Sequence, residues 1–227
     1  MHYQRALHLA AALILIVAWG GAGAAAAPGD GAETAPASTP VPESRNSSLW
    51  DHLEAQQQAT GDFEQLLYSE GGELLEQSRG QYRLLRPGFF RWDIESPDSQ
   101  LIVVSGDELW HYDRDLASAT RRNARSPGSF SALELLAGDG ADLRQRFAVT
   151  ELGDDRYRLV PVYAGAGFSS VELQWREGAL VAMVIRDRGG QEIQLSLIPD
   201  PNAAPLTADD FSFSVPEGVE VFDAFES

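Results

Sequence analysis

Leu84-Leu85-Arg86-Pro87-Gly88-Phe89-Phe90-Arg91-Trp92-Asp93-Ile94, residues 84–94, has the form of a strand that ends, a tight turn, and a second strand that begins. Pro87-Gly88 carries turn chemistry, Pro by its preset φ and Gly by its freedom at positive φ. Beyond the turn Phe90, Trp92 and Ile94 fall on one face, and Phe89, Arg91 and Asp93 on the other, which is the period of two that a strand imposes. The same period extends outward in both directions. Upstream, Phe63, Gln65 and Leu67 alternate with Asp62, Glu64 and Leu66, and Glu70-Gly71-Gly72 turns the chain back into Leu74 to Leu85. Downstream, strands are expected over 101–105 and 108–113, set off by Ser96-Pro97-Asp98 and Ser105-Gly106-Asp107. A further series covers 147–152, 157–163, 169–176, 180–187 and 192–198, with turns at Gly153-Asp154-Asp155, Glu177-Gly178 and Arg188-Gly189-Gly190. About ten short antiparallel strands so spaced are the mark of a sandwich or barrel. No internal repeat points to a propeller or solenoid.

Two segments break this rhythm. Leu49, Trp50 and Leu53 share a side at helical spacing, with Ser48 placed to cap the helix and Asp51 and Glu54 suited to its positive end; it is expected to finish near Thr60-Gly61. The second, Ser129 to Ala137, lies between Pro127-Gly128 and Gly138 and sets Phe130, Leu133, Leu136 and Ala137 on one helical face. Such a helix can cover the mouth of a curved sheet or pack on its outside, and the pattern alone leaves both open. The inner face of strand 101–105 is equally open, between Leu101 with Val103 and Ile102 with Val104. The dense aromatics either fill a core or line a cavity, since a barrel of many strands is too wide for side chains alone to close.

The N-terminal part is of another kind. Residues 1–26 read as an export signal: a short n-region with Arg5, then 14 residues without a formal charge from Ala6 to Trp19, then Gly and Ala. That run is shorter than the roughly 20 residues a membrane-spanning helix needs, and cleavage is expected after Ala26. Residues 27–48, rich in Pro, Ala, Ser and Thr, read as a flexible linker that cannot bury enough surface to fold. Residues 49–227 are expected to form the folded domain.

Composition removes several functions. The chain of 227 residues has no Cys, so thiol catalysis, Cys-ligated zinc, iron–sulfur clusters, disulfides and lipid attachment at a mature N-terminal Cys are excluded. It has no Lys either, which excludes Schiff-base chemistry and the P-loop lysine. A formal charge of -17 speaks against a nucleic-acid partner. The domain holds two His, His52 in the first helix and His111 in Leu109-Trp110-His111-Tyr112, too few for a metal site unless both converge. Paired carboxylates could act as acid and base, but Asp154-Asp155 and Asp209-Asp210 have turn chemistry. Arg121-Arg122-Asn123-Ala124-Arg125 is a local basic cluster, read as a solvated loop before a docking patch. No cofactor, metal or catalytic residue is expected.

The residues also carry a family resemblance. Arg86-Pro87-Gly88-Phe89-Phe90-Arg91-Trp92, followed by Ser96-Pro97, Gln100-Leu101-Ile102-Val103 and Gly106-Asp107-Glu108-Leu109-Trp110-His111-Tyr112-Asp113, resembles the signature region of the LolA family of periplasmic outer-membrane lipoprotein carrier proteins. Phe211-Ser212-Phe213 and Pro216-Glu217-Gly218-Val219 match its ending, and the resemblance spans 49–227. The long linker and the lack of Lys depart from it without touching the signature. The resemblance implies a mainly β (α+β) fold, a half-open antiparallel barrel whose hydrophobic cavity is covered by short helices, the one over Ser129 to Ala137 together with the N-terminal helix. It implies a non-enzymatic, monomeric carrier of acylated outer-membrane lipoproteins. The carrier works in the periplasm between an inner-membrane ATP-driven (ABC) releasing complex and an outer-membrane lipoprotein receptor. Arg86 is then expected to hold the lid shut through backbone carbonyls, with Phe90, Trp92 and Ile94 on the cavity wall and Phe130, Leu133 and Leu136 on the lid. The alternative is a lipid-exposure sensor of the same scaffold acting on an envelope signalling partner. Such a sensor would be expected to carry a second domain, for which the 179 residues leave no space.

Overall fold

The computed structural model describes residues 47–124, 135–136, 138, 140–163 and 166–223. Twelve strands make one sheet: β1 (Gln58–Tyr68), β2 (Leu74–Leu85), β3 (Phe89–Ser96), β4 (Gln100–Ser105), β5 (Glu108–Asp113), β6 (Ser118–Asn123), β7 (Phe147–Gly153), β8 (Arg156–Pro161), β9 (Phe168–Arg176), β10 (Ala179–Asp187), β11 (Glu192–Pro199) and β12 (Glu220–Asp223). Their order is β12-β6-β5-β4-β3-β2-β1-β11-β10-β9-β8-β7, so the sheet is not closed and its edges are β12 and β7. Neighbours are antiparallel except β12 on β6, which is parallel. Helices α1 (Ser47–Ala55) and α2 (Gly140–Arg146) and a 3₁₀ turn at Ala208–Phe211 complete the described elements.

The sheet curls because one face of it is apolar along its length. Phe63 and Leu67 of β1, Tyr82 and Leu84 of β2, Phe90, Trp92 and Ile94 of β3, Tyr157 and Leu159 of β8, and Val171, Leu173 and Trp175 of β9 all belong to one buried cluster. Residues from both halves can meet in one cluster only if the sheet wraps around it. Into the same cluster reach Leu49, Trp50 and Leu53 of α1, Leu143 of α2, and Leu135 and Leu136. The interior is thus filled by the chain's own helical side chains.

A second, smaller cluster lies on the convex side. After β11 the chain crosses the outer surface and sets Phe211 against Leu101 and Val103, with Leu206, Phe213, Phe89 and Tyr112 around them. Strand β4 is therefore apolar on both faces: Ile102 points in, Leu101 and Val103 out, which settles what alternation left open.

Several expectations change. Helix α1 begins at Ser47, so Ser48 lies within it rather than before it, and it stops at Ala55. Strand β1 starts at Gln58, inside the stretch expected to be helical, because residues 58–62 pair with Leu85 to Gln81 of β2. Backbone pairing outweighs the missing apolar alternation there. Arg121, Arg122 and Asn123 are not a loop but part of β6, ordered between β5 and β12. Arg121 bonds the carboxylates of Glu108 and Asp223 and lies 5.7 Å from the Trp110 ring centroid. Strand β12, exposed at every position, and helix α2 had no signal of their own. Of the helix expected over 129–137, Leu135 and Leu136 are helical and the rest lies outside the described residues.

Two glycines allow close backbone approach. A Cβ on Gly61 would strike the carbonyl oxygen of Ile198, and one on Gly80 that of Asp93. Gly80 sits at the irregularity where β2 and β3 shift register, and only a residue without a side chain fits. Gly80→Ala is expected to lower stability by about 3 kcal/mol, the upper range for overpacking, as read from the midpoint of urea unfolding. An unchanged midpoint would mean that β3 yields.

Candidate functional site

The concave face is built from the strand that the signature turn starts. Backbone N–H of Arg86 donates to Gln57 O at 2.8 Å, tying the β2–β3 turn to the segment leaving α1. From that anchor the guanidinium reaches over the concave mouth: Nη2 donates to Leu135 O at 3.0 Å and Nη1 to Gly138 O at 3.1 Å. Arginine suits this position because its donors are fixed in a plane and it stays charged. Burial pushes its pKa down to about 10, which leaves it cationic at neutral pH.

Below the turn Phe90, Trp92 and Ile94 are no more than 5% exposed. The Trp92 ring stacks on Phe63 with centroids 3.6 Å apart and on Phe90 at 5.6 Å, and Tyr82 inclines toward it at 6.1 Å. Across the concavity Trp175 stacks with His52 of α1 at 5.2 Å and meets Tyr157 edge-on at 5.9 Å. His52 Nε2 also lies 3.6 Å from Asp155. Arg144 of α2 bonds Glu54 of α1 at 2.6 Å and covers the Trp50 ring, so the two helices hold each other. Among the described residues the buried polar ones are Gln65 and Ser78, register partners on β1 and β2. Such a predominantly apolar wall can enclose hydrocarbon.

Of the residues singled out in the sequence, Arg86, Phe90, Trp92, Ile94 and Leu136 meet at this face. Phe130 and Leu133 lie outside the described residues. The N-terminal helix, expected as part of the cover, does bring Trp50 and Leu53 onto this face, whereas Phe63, Tyr82 and Trp175 were not singled out as wall. Each was visible as an alternating or helical apolar position, but which face was concave depended on long-range pairing.

The carboxylates have structural work. Asp210 accepts from the backbone N–H and hydroxyl of Thr207, which with nearby Arg83 holds its pKa below the usual range, and so closes the 3₁₀ turn. Asp93 bonds Arg114 at 2.8 Å and Arg91 at 3.5 Å. Arg91, Asp93, Asp209 and Asp210 line a polar groove of about 370 Å³ with Gln81, Tyr82, Arg83 and Ser212.

His52 and His111 do not converge: the first packs on Trp175 of β9, the second on β5 bonds Gln100 Oε1 at 2.9 Å. Among the described residues no three His, Asp or Glu side chains gather around a common point.

A curved, unclosed sheet with an apolar concave face held under short helices is the architecture of a binding protein for apolar ligands. The family model for LolA, described as outer membrane lipoprotein carrier protein, matches residues 54–214, and the chain belongs to that family. The outer-membrane lipoprotein carrier protein of Halorhodospira halophila is 33% identical over 177 residues, covering 78% of this chain and 85% of its own. That of Methylococcus capsulatus is 35% identical over 188 residues, covering 81% and 88%. That of Bordetella pertussis is 36% identical over 169 residues, covering 72% and 79%. A solved LolA superfamily protein from Nitrosomonas europaea covers 74% of this chain and 97% of its own at 13% identity, with a TM-score of 0.46.

Burial pushes the pKa of His111 below its ordinary 6.5, with Arg122 acting the same way and Asp113 against it. A His that binds its proton less readily when folded stabilises fully above the unfolded value and loses that contribution as pH falls through and below it. Stability is therefore expected to decline below about pH 6.5, and His111→Gln to flatten this decline in a series of urea midpoints.

Proposed function

We propose that the chain is a periplasmic carrier that hides the acyl chains of outer-membrane lipoproteins against its concave face. It would take them from an inner-membrane ATP-driven releasing complex and deliver them to an outer-membrane receptor. In this reading residues 1–26 are removed on export, residues 27–48 tether, and the domain from 49 onward acts as a monomer without cofactor or chemistry of its own. The observation that carries it is the continuous apolar wall from β1 to β4 and β7 to β11, roofed by helical segments that Arg86 ties down.

The energetics suit a carrier that must also let go. Each methylene hidden from water contributes about 0.8 kcal/mol, so a chain with roughly a dozen buried carbons gains on the order of 10 kcal/mol. In the closed state the same wall is covered by Leu49, Trp50, Leu53, Leu135, Leu136 and Leu143. Loading exchanges these contacts for acyl contacts, so binding reflects the difference between two burials rather than either whole. The two Arg86 bonds exist only with the roof in place. They bias the balance toward the empty form by an amount on the order of 2 kcal/mol, which favours delivery.

Arg86→Leu should then still accept lipoprotein but hand it on poorly. Receptor-transfer assays with the purified loaded carrier read this directly, and transfer at the wild-type rate would contradict the latch. The carrier role itself is tested by adding the mature protein to spheroplasts. An acylated lipoprotein should leave the membrane in a soluble one-to-one complex, and retention of all lipoprotein on the membrane would overturn the reading.

A further inference from the structure

The wall is apolar in composition but not in every atom. The hydroxyl of Tyr82 and the indole N–H groups of Trp92 and Trp175 are buried and find no acceptor among the described residues. Their side chains belong to the cluster on the concave face, and the residues are 3%, 1% and 2% exposed. Tyr82 and Trp92 are direct cross-strand partners on β2 and β3, so two unanswered donors occupy one rung of the sheet. The rings packed on Trp92 are those of Phe63, Phe90 and Tyr82, and neither phenylalanine can accept a hydrogen bond. Buried donors in folded proteins are almost always paired, and an orphan is costly to keep. A wall that had only to hold hydrocarbon would be served better by Phe at both positions.

Burial, and secondarily the charge of Asp62, pushes the Tyr82 phenol up to about 12. It therefore keeps its proton and remains a donor throughout the neutral range. Donors without acceptors fit a ligand that has acceptors without donors. The acyl groups of a lipidated cysteine have that character: each long apolar chain ends in an ester or amide carbonyl, whose oxygen only accepts. We propose that Tyr82 and Trp92, with Trp175 on the opposite wall, hydrogen-bond the carbonyl oxygens of the bound acyl groups, so that the site selects acyl-linked over alkyl-linked lipid. This rests on the carrier reading above and adds to it a chemical requirement at the point where chain meets headgroup. Both donors are set by paired strands rather than by the roof, so they stay in place when the helical segments lift.

The test compares two synthetic lipopeptides in titrations with the full mature protein. One carries ester- and amide-linked palmitoyl chains on its N-terminal cysteine; the other has the same peptide, amide and chain lengths, with ether linkages in place of the esters. Wild type should bind the ester form about tenfold more tightly. Tyr82→Phe should lower ester-form affinity roughly five- to tenfold, leave ether-form affinity unchanged, and keep or raise the unfolding midpoint, because it removes an unpaired hydroxyl and no apolar surface. Trp92→Phe provides a second variant with the same expected direction. Equal wild-type affinity for the two linkages, or a Tyr82→Phe loss shared by both ligands, overturns the proposal while leaving the carrier reading intact. Failure of wild type to bind either lipopeptide overturns the carrier reading and the proposal together.

Discussion

An apolar concave face cannot stand open to water, and most of the structure answers that constraint. Twelve strands in an unclosed sheet enclose more width than their own inward side chains span. The remainder is covered by α1, α2 and the segment at Leu135 and Leu136. These helical pieces are short and are held by few polar contacts: Arg86 to two carbonyls, Arg144 to Glu54, His52 beside Asp155. Their attachment is mostly the hydrophobic contact that a ligand of the same character can replace. A longer helix with a denser polar framework would close the face as well but would not exchange.

Charge is placed according to the same division. At the mouth of the concave face, Arg86, a strongly buried cation, bonds backbone carbonyls. An ion pair there would place a second charge at the mouth of an apolar chamber and carry its desolvation cost. Outside, charges pair freely. Arg158, Glu172, Arg186 and Glu192 run as a ladder across four adjacent strands, β8 to β11, and their mutual bonds hold Glu172 below its ordinary pKa. Exposed pairs of this sort add little stability individually, but they keep the convex surface hydrated where the concave one is dry.

What could be read from the residues follows from which interactions are local. Alternation placed Phe90, Trp92 and Ile94 on one face, and the turn chemistry of Glu177-Gly178 and Gly153-Asp154-Asp155 located hairpins that do form there, with positive φ at all five residues. The strands that escaped are those whose evidence is a partner rather than a pattern. Residues 58–61 are strand because Leu85 to Tyr82 lie beside them. Strand β6 carries Arg121 and Arg122 at half-buried positions, and β12 is bound to it by parallel backbone pairing and the Arg121–Asp223 ion pair, with no buried side chain of its own. At the site, Arg86 was legible from its motif, but its acceptors are two carbonyls, which leave no mark on the identity of the residues that own them. Tyr82 had no signal beyond being one more alternating aromatic, since an unpaired hydroxyl is visible only once its neighbours are known.

The strap formed by residues 206–213 divides the sheet mechanically. Where Phe211 seals Leu101 and Val103, strand β4 is packed on both faces, and β12 braces β6 beyond it. Interiors packed on both sides resist deformation. The half from β7 to β10 has no such backing among the described residues, and β7 ends the sheet without a neighbour on its far side. The strap thereby backs, from outside, the side of the sheet that carries the Tyr82–Trp92 rung.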